Sequence, residues 1–310
     1  MFLYLLFRRF LRPAMALALS IMLSWSGCTA REAAPSSASE MVVIPEPEAF
    51  LLAELEENAI YRGDLILVSN AAPFRFPDEL SLASVADGKN SAYYIRSTDL
   101  LLDSDALAAV NHLMGEFLAQ GGSKTVNLVA AWRSEETQRY LYERNAVQYG
   151  AEHAARYVAL PGCSEHHTGL AVDFSLYFPS GTSADFSGEG EYAWITENAH
   201  RFGLILRYTD EKEIVTGIAS EPWHFRYVGL PHAAAMREMG RCLEEYLDYL
   251  RAFPYDGAHL FLKQGAVRYE VWYEKGSDVH LPIEGEYTVS GNNVDGLIVT
   301  RKLLDGDFVG

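Results

Sequence analysis

The stretch CSEHHTGLAVDF, residues 163–174, places two adjacent histidines, a glycine and an aspartate on an otherwise apolar segment. From position 170 onward, side chains of alternating size and polarity follow the two-residue period of a β-strand. A carboxylate in a buried strand loses its hydration, and this loss is costly unless a partner compensates it. We therefore expect a strand whose Asp173 is paired or binds something, with Gly169 turning His166 back over it.

A second stretch, SEPWHFRYVG at residues 220–229, supplies candidate partners. Together with His166 and Asp173, its His224 completes a set of two imidazoles and one carboxylate. Zinc takes such a set in catalytic sites and keeps a further position for water. Glu221, three residues before His224, could accept a proton from that water. The alternatives are that His167 replaces His166 as the ligand or lines the cleft, and that the His–Asp contact is an ordinary hydrogen bond.

The other histidines of the chain lack ligand-like neighbours, and we expect them to be structural: His112, His153, His200, His232, His259 and His280. Two cysteines, Cys163 and Cys242, lie far apart in the sequence without CxxC spacing, so they do not predict a thiolate zinc site. In an oxidising compartment they could form a disulfide or stay free, and the sequence leaves both open.

Composition limits the partners of the chain. Its 310 residues are 49% hydrophobic and 22% charged, which suits one good-sized domain with additions, and the formal net charge is −17 at pH 7. Nucleic-acid binding needs clustered Lys and Arg, so this acidity argues against it. An anionic substrate held by one or two local arginines stays compatible with it. No protein partner is predicted.

The N-terminus has the pattern of a bacterial signal peptide over residues 1–28. Three arginines precede the apolar run of residues 14–25, which is shorter than the roughly 20 residues that a spanning helix needs. The sequence Ser26–Gly27–Cys28 resembles a lipobox, although Trp25 stands where Leu is usual. We expect an extracytoplasmic lipoprotein anchored to the membrane through Cys28, with plain secretion as the alternative.

Composition and hydrophobic pattern divide the rest of the chain into three parts. Residues 29–58 are rich in Ala, Ser, Pro and Glu and predict a flexible tether. Residues 59–253 mix strand and helix patterns, which indicates an α+β domain with a central, mostly antiparallel sheet and flanking helices. Residues 254–310 contain short runs of alternating apolar residues separated by Gly and Asn turns, a pattern that predicts a small all-β appendage. Within the main domain we expect a strand at 63–70 and one long helix at 231–253. We also expect helices at 104–122 and 134–150, with Ser104 and Ser134 as their N-caps.

The two opening stretches resemble a known family. SEHHTGLAVD, residues 164–173, resembles the SxHxxGxAxD signature of the zinc D,D-peptidases of the VanY, VanX and hedgehog-domain superfamily, and EPWHFRYVG resembles its ExWH signature. Residues 203–229 are similar to VanY-type D-alanyl-D-alanine carboxypeptidases. AAWRSEETQ, residues 130–138, is similar to the YRS…Q segment of the family, with Trp132 in place of Tyr. Two spaced signatures in order are a specific match over residues 63–250.

The resemblance implies roles for individual residues. It implies one zinc ion per chain held by His166, Asp173 and His224, with Glu221 as the general base. Arg133 would receive the terminal carboxylate of the substrate, since a guanidinium binds a carboxylate through two parallel hydrogen bonds. The remaining candidates for substrate binding are Ser134, Gln138, Ser164 and Arg207.

The implied activity is that of a zinc metallocarboxypeptidase with the hedgehog/D,D-peptidase fold. A zinc-held water activated by Glu221 would hydrolyse the terminal D-Ala–D-Ala bond of peptidoglycan stem peptides. The alternatives are an L,D-carboxypeptidase, a D,D-dipeptidase, or a non-catalytic zinc-bearing module that binds the cell wall. The presence of Glu221 favours catalysis over the last of these. The expected partners are the stem peptide and the membrane.

Overall fold

A computed structural model of the chain describes residues 38–42, as backbone, and residues 49–303. The predicted signal peptide and its Cys28 lie outside the described residues. Across the described ranges, none of the helices combines the length and apolarity that crossing a membrane requires.

The described residues form antiparallel sheets with interspersed helices. The strands are β1 (Ala38–Val42), β2 (Phe50–Glu54), β3 (Leu82–Ser84), β4 (Tyr94–Ile95), β5 (Leu101–Asp103), β6 (Val126–Ala130), β7 (Ala171–Tyr177), β8 (Ser183–Asp185), β9 (Leu204–Leu206), β10 (His224–Tyr227), β11 (Ala258–Gln264), β12 (Val267–Lys275), β13 (Asp278–Pro282), β14 (Tyr287–Gly291) and β15 (Gly296–Leu303). The α-helices are α1 (Val85–Gly88), α2 (Ser104–Ala119), α3 (Glu135–Tyr149), α4 (Ala151–Tyr157), α5 (Ala193–Asn198), α6 (Glu213–Thr216), α7 (His232–Met239) and α8 (Leu243–Leu250). The predicted α+β class is confirmed.

The central sheet has six strands in the order β4-β6-β7-β10-β9, with β8 added beside β7. Its strand pairs are antiparallel except for β4 and β6, which run parallel. The apolar face of α2 packs on this sheet, and burial of each large side chain there contributes roughly 1.5–3 kcal/mol. This core includes Leu107, Val110, Leu113, Met114 and Phe117 of α2 and Leu128, Val172, Phe174 and Phe225 of the sheet.

Predicted helix starts are right in one case and wrong by one residue in the other. Ser134 caps α3, with its Oγ accepting the backbone N–H of Thr137 at 3.2 Å. For α2 the cap is Asp103 rather than Ser104, and its Oδ1 accepts the N–H of Asp105 at 2.9 Å. A carboxylate at this position also suits the positive end of the helix dipole.

The segment at 63–70 buries Leu65, Ile66 and Val68, but it is not a strand of either large sheet. Its N–H groups bond across to the C-terminal strands, with Leu65 N–H donating to Ser290 Oγ at 2.9 Å. On its other side the guanidinium of Arg226 donates to the carbonyls of Asp64 (2.9 Å) and Ile66 (3.0 Å). The strand prediction is therefore wrong, because side chains satisfy backbone groups that a neighbouring strand would otherwise pair.

The single long helix predicted at 231–253 is two helices, α7 and α8. Gly240 ends α7 in the left-handed conformation at φ 63°. Only glycine takes this conformation without steric cost, and it is the usual end of a helix. After this break a new helix, α8, begins with Cys242 as its N-cap. Within the described residues Cys163 and Cys242 are both buried free thiols, so no disulfide joins them.

The C-terminal strands form a five-stranded sheet in the order β1-β11-β12-β15-β14. Strand β1 pairs with β11, and β2 pairs with β13. Phe50 of β2 packs edge-on against Tyr255 and Trp272, with ring centroids 5.4 and 5.6 Å away. The prediction of a flexible tether over 29–58 is thus corrected at these two strands, whose partners lie more than two hundred residues along the chain. The other domain boundaries stay predictions.

The C-terminal sheet does not hang free of the rest. Its inner residues share one core with α7, α8 and the edge of the central sheet, and those residues include Leu260, Val271 and Ile298 of the sheet, Met236, Tyr246, Leu247 and Leu250 of the helices, and Ile205 and Val228. Helices α7 and α8 therefore share one core with residues of both large sheets.

Candidate active site

Strands β7 and β10 bring the two signature segments together. Their register pairs His224 directly with Asp173, so residues far apart in sequence become neighbours across one antiparallel ladder. His224 Nδ1 lies 2.9 Å from Asp173 Oδ1. Successive side chains on a strand face opposite sides of the sheet, and directly paired residues face the same side. Asp173 and His224 therefore lie on one face of the sheet.

His166 reaches the same point from a 3-10 turn, Glu165–Thr168, that precedes β7. Ser164 caps this turn, and Gly169 ends it at φ 78°, as its position in the sequence suggested. The left-handed backbone conformation of Gly169 favours glycine there, and a Cβ would also lie 3.3 Å from the backbone nitrogen of Asp103. The turn places His166 Nε2 3.2 Å from Asp173 Oδ2.

The three side chains fit a zinc ion. One ligand atom from each of His166, Asp173 and His224 lies within 4.8 Å of the others. The outward nitrogen of each imidazole has its own partner: His166 Nδ1 donates to the Ala131 carbonyl at 2.7 Å, and His224 Nε2 lies 3.3 Å from Glu165 Oε2. This leaves His166 Nε2 and His224 Nδ1 directed inward, which is how buried partners orient histidine ligands around a metal.

Glu221 stands beside the cluster without being part of it. Its Oε2 is 3.8 Å from His224 Nδ1, and its side chain is 12% exposed. Burial raises the pKa of Glu221 to about 7, and a dication in the site would act in the opposite direction. A carboxylate with a raised pKa next to a metal position is suited to accepting and returning a proton.

The ligand histidines experience opposite influences. Burial lowers the pKa of His166, which favours the neutral form that binds metal. Burial alone would also lower the pKa of His224, but hydrogen bonds to Asp173 and Glu165 raise it to about 10. A metal ion at this cluster therefore competes with a proton on His224.

Arg133 opens onto the same cleft, of about 420 Å³, as do Gln138 and Ser164. Its Nη1 donates to Gln138 Oε1 at 2.8 Å, and Gln138 is itself fixed by donating to the Ala159 carbonyl at 2.7 Å. Arg133 Nη2 is 3.9 Å from Asp173 Oδ2. The guanidinium is thus held next to the metal position by one neutral partner and one distant charge, which leaves donors for a substrate carboxylate.

Two predicted substrate-binding residues lie elsewhere. Ser134 is the half-buried cap of α3 and is not among the residues that line the cleft. Arg207 is 2% exposed and is held by two carboxylates, with Nε donating to Glu165 at 2.8 Å and both terminal nitrogens to Glu244. For these two residues the prediction of substrate contact is corrected. A charged residue in an apolar strand needs a partner, and here the partner is internal.

His167 is not a ligand. Its Nδ1 donates to the Arg133 carbonyl at 2.7 Å, and its Nε2 accepts the N–H of Gly162 at 3.2 Å. Its ring packs on Phe76 at 5.0 Å. With both nitrogens used by the backbone, His167 fixes the loop that carries Arg133. The metal-ligand cluster found among the described residues contains none of the six histidines predicted to be structural.

Sequence reasoning missed a buried layer behind the ligands. Glu165, which stands within the first signature, is fully buried behind His224, and Arg207 and Arg226 both donate to it. Burial alone would raise the pKa of Glu165, but these guanidinium groups outweigh it and hold the pKa well below the ordinary range. The strand pattern contains a hint, since Arg226 lies two residues after His224 and so on the same face of β10.

A second groove of about 900 Å³ was also missed. It adjoins the cleft at Asp173 and Trp223, which line both. Its other walls come from β4, β6, β7 and β8 and include Tyr94, Tyr177, Arg96 and Asp185. The metal position therefore lies between two spaces rather than at the end of one.

Comparison with known proteins identifies this arrangement. Residues 99–230 match the family model described as VanY, D-alanyl-D-alanine carboxypeptidase. A D-alanyl-D-alanine carboxypeptidase of Enterococcus faecium is 33% identical over 253 residues, which cover 79% of this chain and 77% of that protein. The chain belongs to the VanY family of D-alanyl-D-alanine carboxypeptidases. The predicted family and enzyme class are confirmed.

Two solved structures resemble this carboxypeptidase. The vancomycin-resistance D,D-dipeptidase VanXYg, in complex with a D-Ala-D-Ala phosphinate analog, is 32% identical with a TM-score of 0.73, covering 82% of this chain and 99% of its own. A variant of the D,D-pentapeptidase VanY from a VanB-type cassette, in complex with Zn(II), is 29% identical with a TM-score of 0.50, covering 59% and 98%. The predicted D,D-peptidase fold is confirmed by these neighbours, whereas the roles of individual site residues stay predictions.

Proposed function

We propose that this protein hydrolyses the terminal D-Ala–D-Ala bond of peptidoglycan stem peptides with one zinc ion held by His166, Asp173 and His224. The predicted zinc cofactor and carboxypeptidase activity are confirmed for the family to which the chain belongs. The observation that carries the residue assignment is the convergence of three ligand atoms within 4.8 Å beside Glu221. When bound, zinc lowers the pKa of a coordinated water and polarises a carbonyl.

Glu221 is the proposed general base. Its carboxylate lies at the mouth of the ligand cluster, 3.8 Å from His224 Nδ1, within reach of a water molecule between them. It accepts a proton from the attacking water and returns it to the leaving D-Ala amine. Glu221→Gln keeps the size and polarity of the side chain but cannot accept that proton.

Arg133, with Gln138 and Ser164 beside it, is the proposed receptor for the C-terminal carboxylate. A carboxypeptidase must recognise a free chain end, and a guanidinium held by Gln138 at 2.8 Å is oriented for two parallel hydrogen bonds. These three residues line the same cleft as the metal ligands, and the proposed carboxylate contact places the leaving D-Ala next to Arg133. The acyl part of the substrate then extends away from Arg133.

The second groove favours a carboxypeptidase over a dipeptidase. A dipeptidase needs room for one residue on each side of the scissile bond. Here a space of about 900 Å³ continues from the metal ligand Asp173, past Trp223, along the sheet. This volume accommodates the longer acyl portion of a pentapeptide stem.

We also propose that the protein acts outside the cytoplasm as a lipoprotein attached through Cys28. This proposal rests on the basic start, the short apolar run and the lipobox-like Ser26–Gly27–Cys28. The substrate, a component of the cell wall, lies on that side of the membrane. Metabolic labelling with a fatty-acid analogue tests it: the wild-type protein should take up label and Cys28→Ser should not. Equal labelling of both would contradict the assignment.

A panel of tripeptide, tetrapeptide and pentapeptide stems, read by mass spectrometry, tests the reaction. We expect the pentapeptide to lose one D-Ala and free D-Ala–D-Ala to be cleaved much more slowly. Glu221→Gln should keep one zinc per chain and lose about 10²–10⁴-fold in kcat. Preferential cleavage of the tetrapeptide would instead support the L,D-carboxypeptidase, and wild-type turnover by Glu221→Gln would contradict the base assignment.

A further inference from the structure

Behind His224 lies a carboxylate that no step of the proposed reaction uses. Glu165 has no exposed side-chain surface. Its Oε2 lies 3.3 Å from His224 Nε2, on the ring side opposite the ligand cluster. Its Oε1 accepts from Arg207 Nε at 2.8 Å and from Arg226 Nη1 at 3.1 Å. One oxygen is thus given to the imidazole, and the other is fixed by two cations.

The cations are anchored in turn. Arg207 donates to Glu244 through Nη1 at 2.9 Å and Nη2 at 2.6 Å, a two-bond contact that fixes the plane of the guanidinium. Arg226 uses its remaining terminal nitrogen on the carbonyls of Asp64 and Ile66. The Glu165 carboxylate therefore cannot rotate without breaking contacts on two separate elements.

Glu244 belongs to the first turn of α8. The buried face of that helix, which includes Leu243 and Leu247, packs in the core shared with the C-terminal sheet. An unbroken series of charged contacts therefore runs from the ligand imidazole through Glu165 and Arg207 to a helix that the C-terminal sheet supports.

We propose that Glu165 is a positioning residue for the metal ligand His224, and that Arg207 and Glu244 connect this positioning to α8. The inference rests on the ligand role given to His224 in the proposed function. A hydrogen bond to Nε2 keeps Nδ1 as the lone-pair nitrogen and fixes the ring angle, and loss of such a partner weakens metal binding.

Zinc affinity of the purified full-length protein, measured by competition with a chromophoric chelator and without substrate, tests this. We expect Glu165→Gln to raise the zinc Kd by about 10–100-fold. Glu244→Gln, one contact further away, should raise it by about 3–10-fold, within the lower part of that range. Leu247→Ala is the matched control on the same helix: it should lower Tm while leaving the zinc Kd within about twofold, because it leaves the charged contacts in place.

Glu244→Gln also guards against misfolding of Glu165→Gln, which leaves two buried guanidinium groups with one anionic partner fewer. A folded Glu244→Gln with the wild-type zinc Kd overturns the connection to α8, and a folded Glu165→Gln with the wild-type Kd overturns the positioning role. If Leu247→Ala weakens zinc binding as much as Glu244→Gln, the effect is general destabilisation and the proposal is wrong. His224→Ala separates the two levels: undiminished zinc binding there refutes the ligand assignment itself.

Discussion

Among the described residues, histidine–carboxylate contacts are buried at both large sheets, and those at the central sheet line a cleft. In the C-terminal sheet, His259 Nδ1 lies 2.7 Å from Glu270 Oε1, its Nε2 donates to the Tyr255 carbonyl at 2.8 Å, and its ring stacks on Trp272. Both nitrogens are used by the fold. At the central sheet, His166 and His224 each use one ring nitrogen in a hydrogen bond to the surrounding protein and direct the other toward Asp173. The histidines assigned to the metal site differ from His259 because one ring nitrogen of each is directed at the ligand cluster rather than used to stabilise the fold.

The largest expected effect tests this difference directly. His224→Ala should abolish stoichiometric zinc binding and reduce kcat/KM by at least about 10³-fold, because a ligand of the cluster is lost. His259→Ala should keep zinc and activity per folded molecule but lose about 2–4 kcal/mol of unfolding free energy, since the buried Glu270 loses its histidine partner and keeps Arg301 Nη1 at the longer distance of 3.6 Å. Metal analysis, kinetics and urea unfolding on both variants provide the comparison. Loss of zinc from His259→Ala would remove the distinction.

Arg133 sharpens the chemical side of the comparison. Arg133→Lys keeps the charge but loses the planar pair of donors, so kcat/KM on a pentapeptide stem should fall by about 10–100-fold. A stem with an amidated C-terminus is the control, because it has no carboxylate to bind and should show nearly the same rate with both enzymes. Equal losses on both substrates would mean that Arg133 serves the fold rather than the chain end.

His232 tests the junction between the sheets. It is buried between Tyr246 and Thr300, with both nitrogens 2.9 Å from hydroxyl oxygens, and burial lowers its pKa to about 3. Because this pKa is below its unfolded value, the stabilising contribution is complete above pH about 6.5 and is lost as pH falls toward 3. We expect a loss of about 2 kcal/mol between pH 7.5 and pH 5.

Urea unfolding of the wild type and His232→Gln at both pH values checks this expectation. The variant lacks the titrating group, so its unfolding free energy should fall by about 2 kcal/mol less than that of the wild type over the same interval. Identical pH dependence in the two proteins would show that other groups dominate acid sensitivity.

The smallest effect belongs to Ser134. As a helix cap outside the cleft, Ser134→Ala should cost about 1 kcal/mol of stability and leave kcat and KM on the pentapeptide unchanged. Ser164→Ala, at the capped turn that lines the cleft, is the matched comparison. A selective rise in KM for Ser134→Ala would restore the substrate contact that the structure places elsewhere.

Much of the site could be predicted because its polar residues interrupt regular apolar patterns. Asp173 stands in an alternating strand and His224 at the start of another, so each polar side chain signals an unusual burial. The helix start at Ser134 follows from local capping chemistry. These signals depend on near neighbours in sequence, which is the range over which secondary-structure preferences act.

Three of the failures have long-range causes. Arg207 was predicted to bind substrate because the apolar residues around it in sequence offer no partner. In the structure its partners, Glu165 and Glu244, come from other elements. Phe50 lies in a segment that looks like a tether, but its strand pairs with β13. The apolar run at 63–70 is buried, yet its carbonyls are satisfied by Arg226. In each case the deciding partner is tens to hundreds of residues away.

Anomalous diffraction at the zinc edge, from crystals of the intact protein, would locate the metal relative to the three side chains. We expect one zinc ion per chain, about 2.0–2.2 Å from His166 Nε2, His224 Nδ1 and an Asp173 carboxylate oxygen, with Glu221 nearby but not bonded. An ion bound by His167 in place of His166, or a fully loaded crystal with zinc at another location, would contradict it.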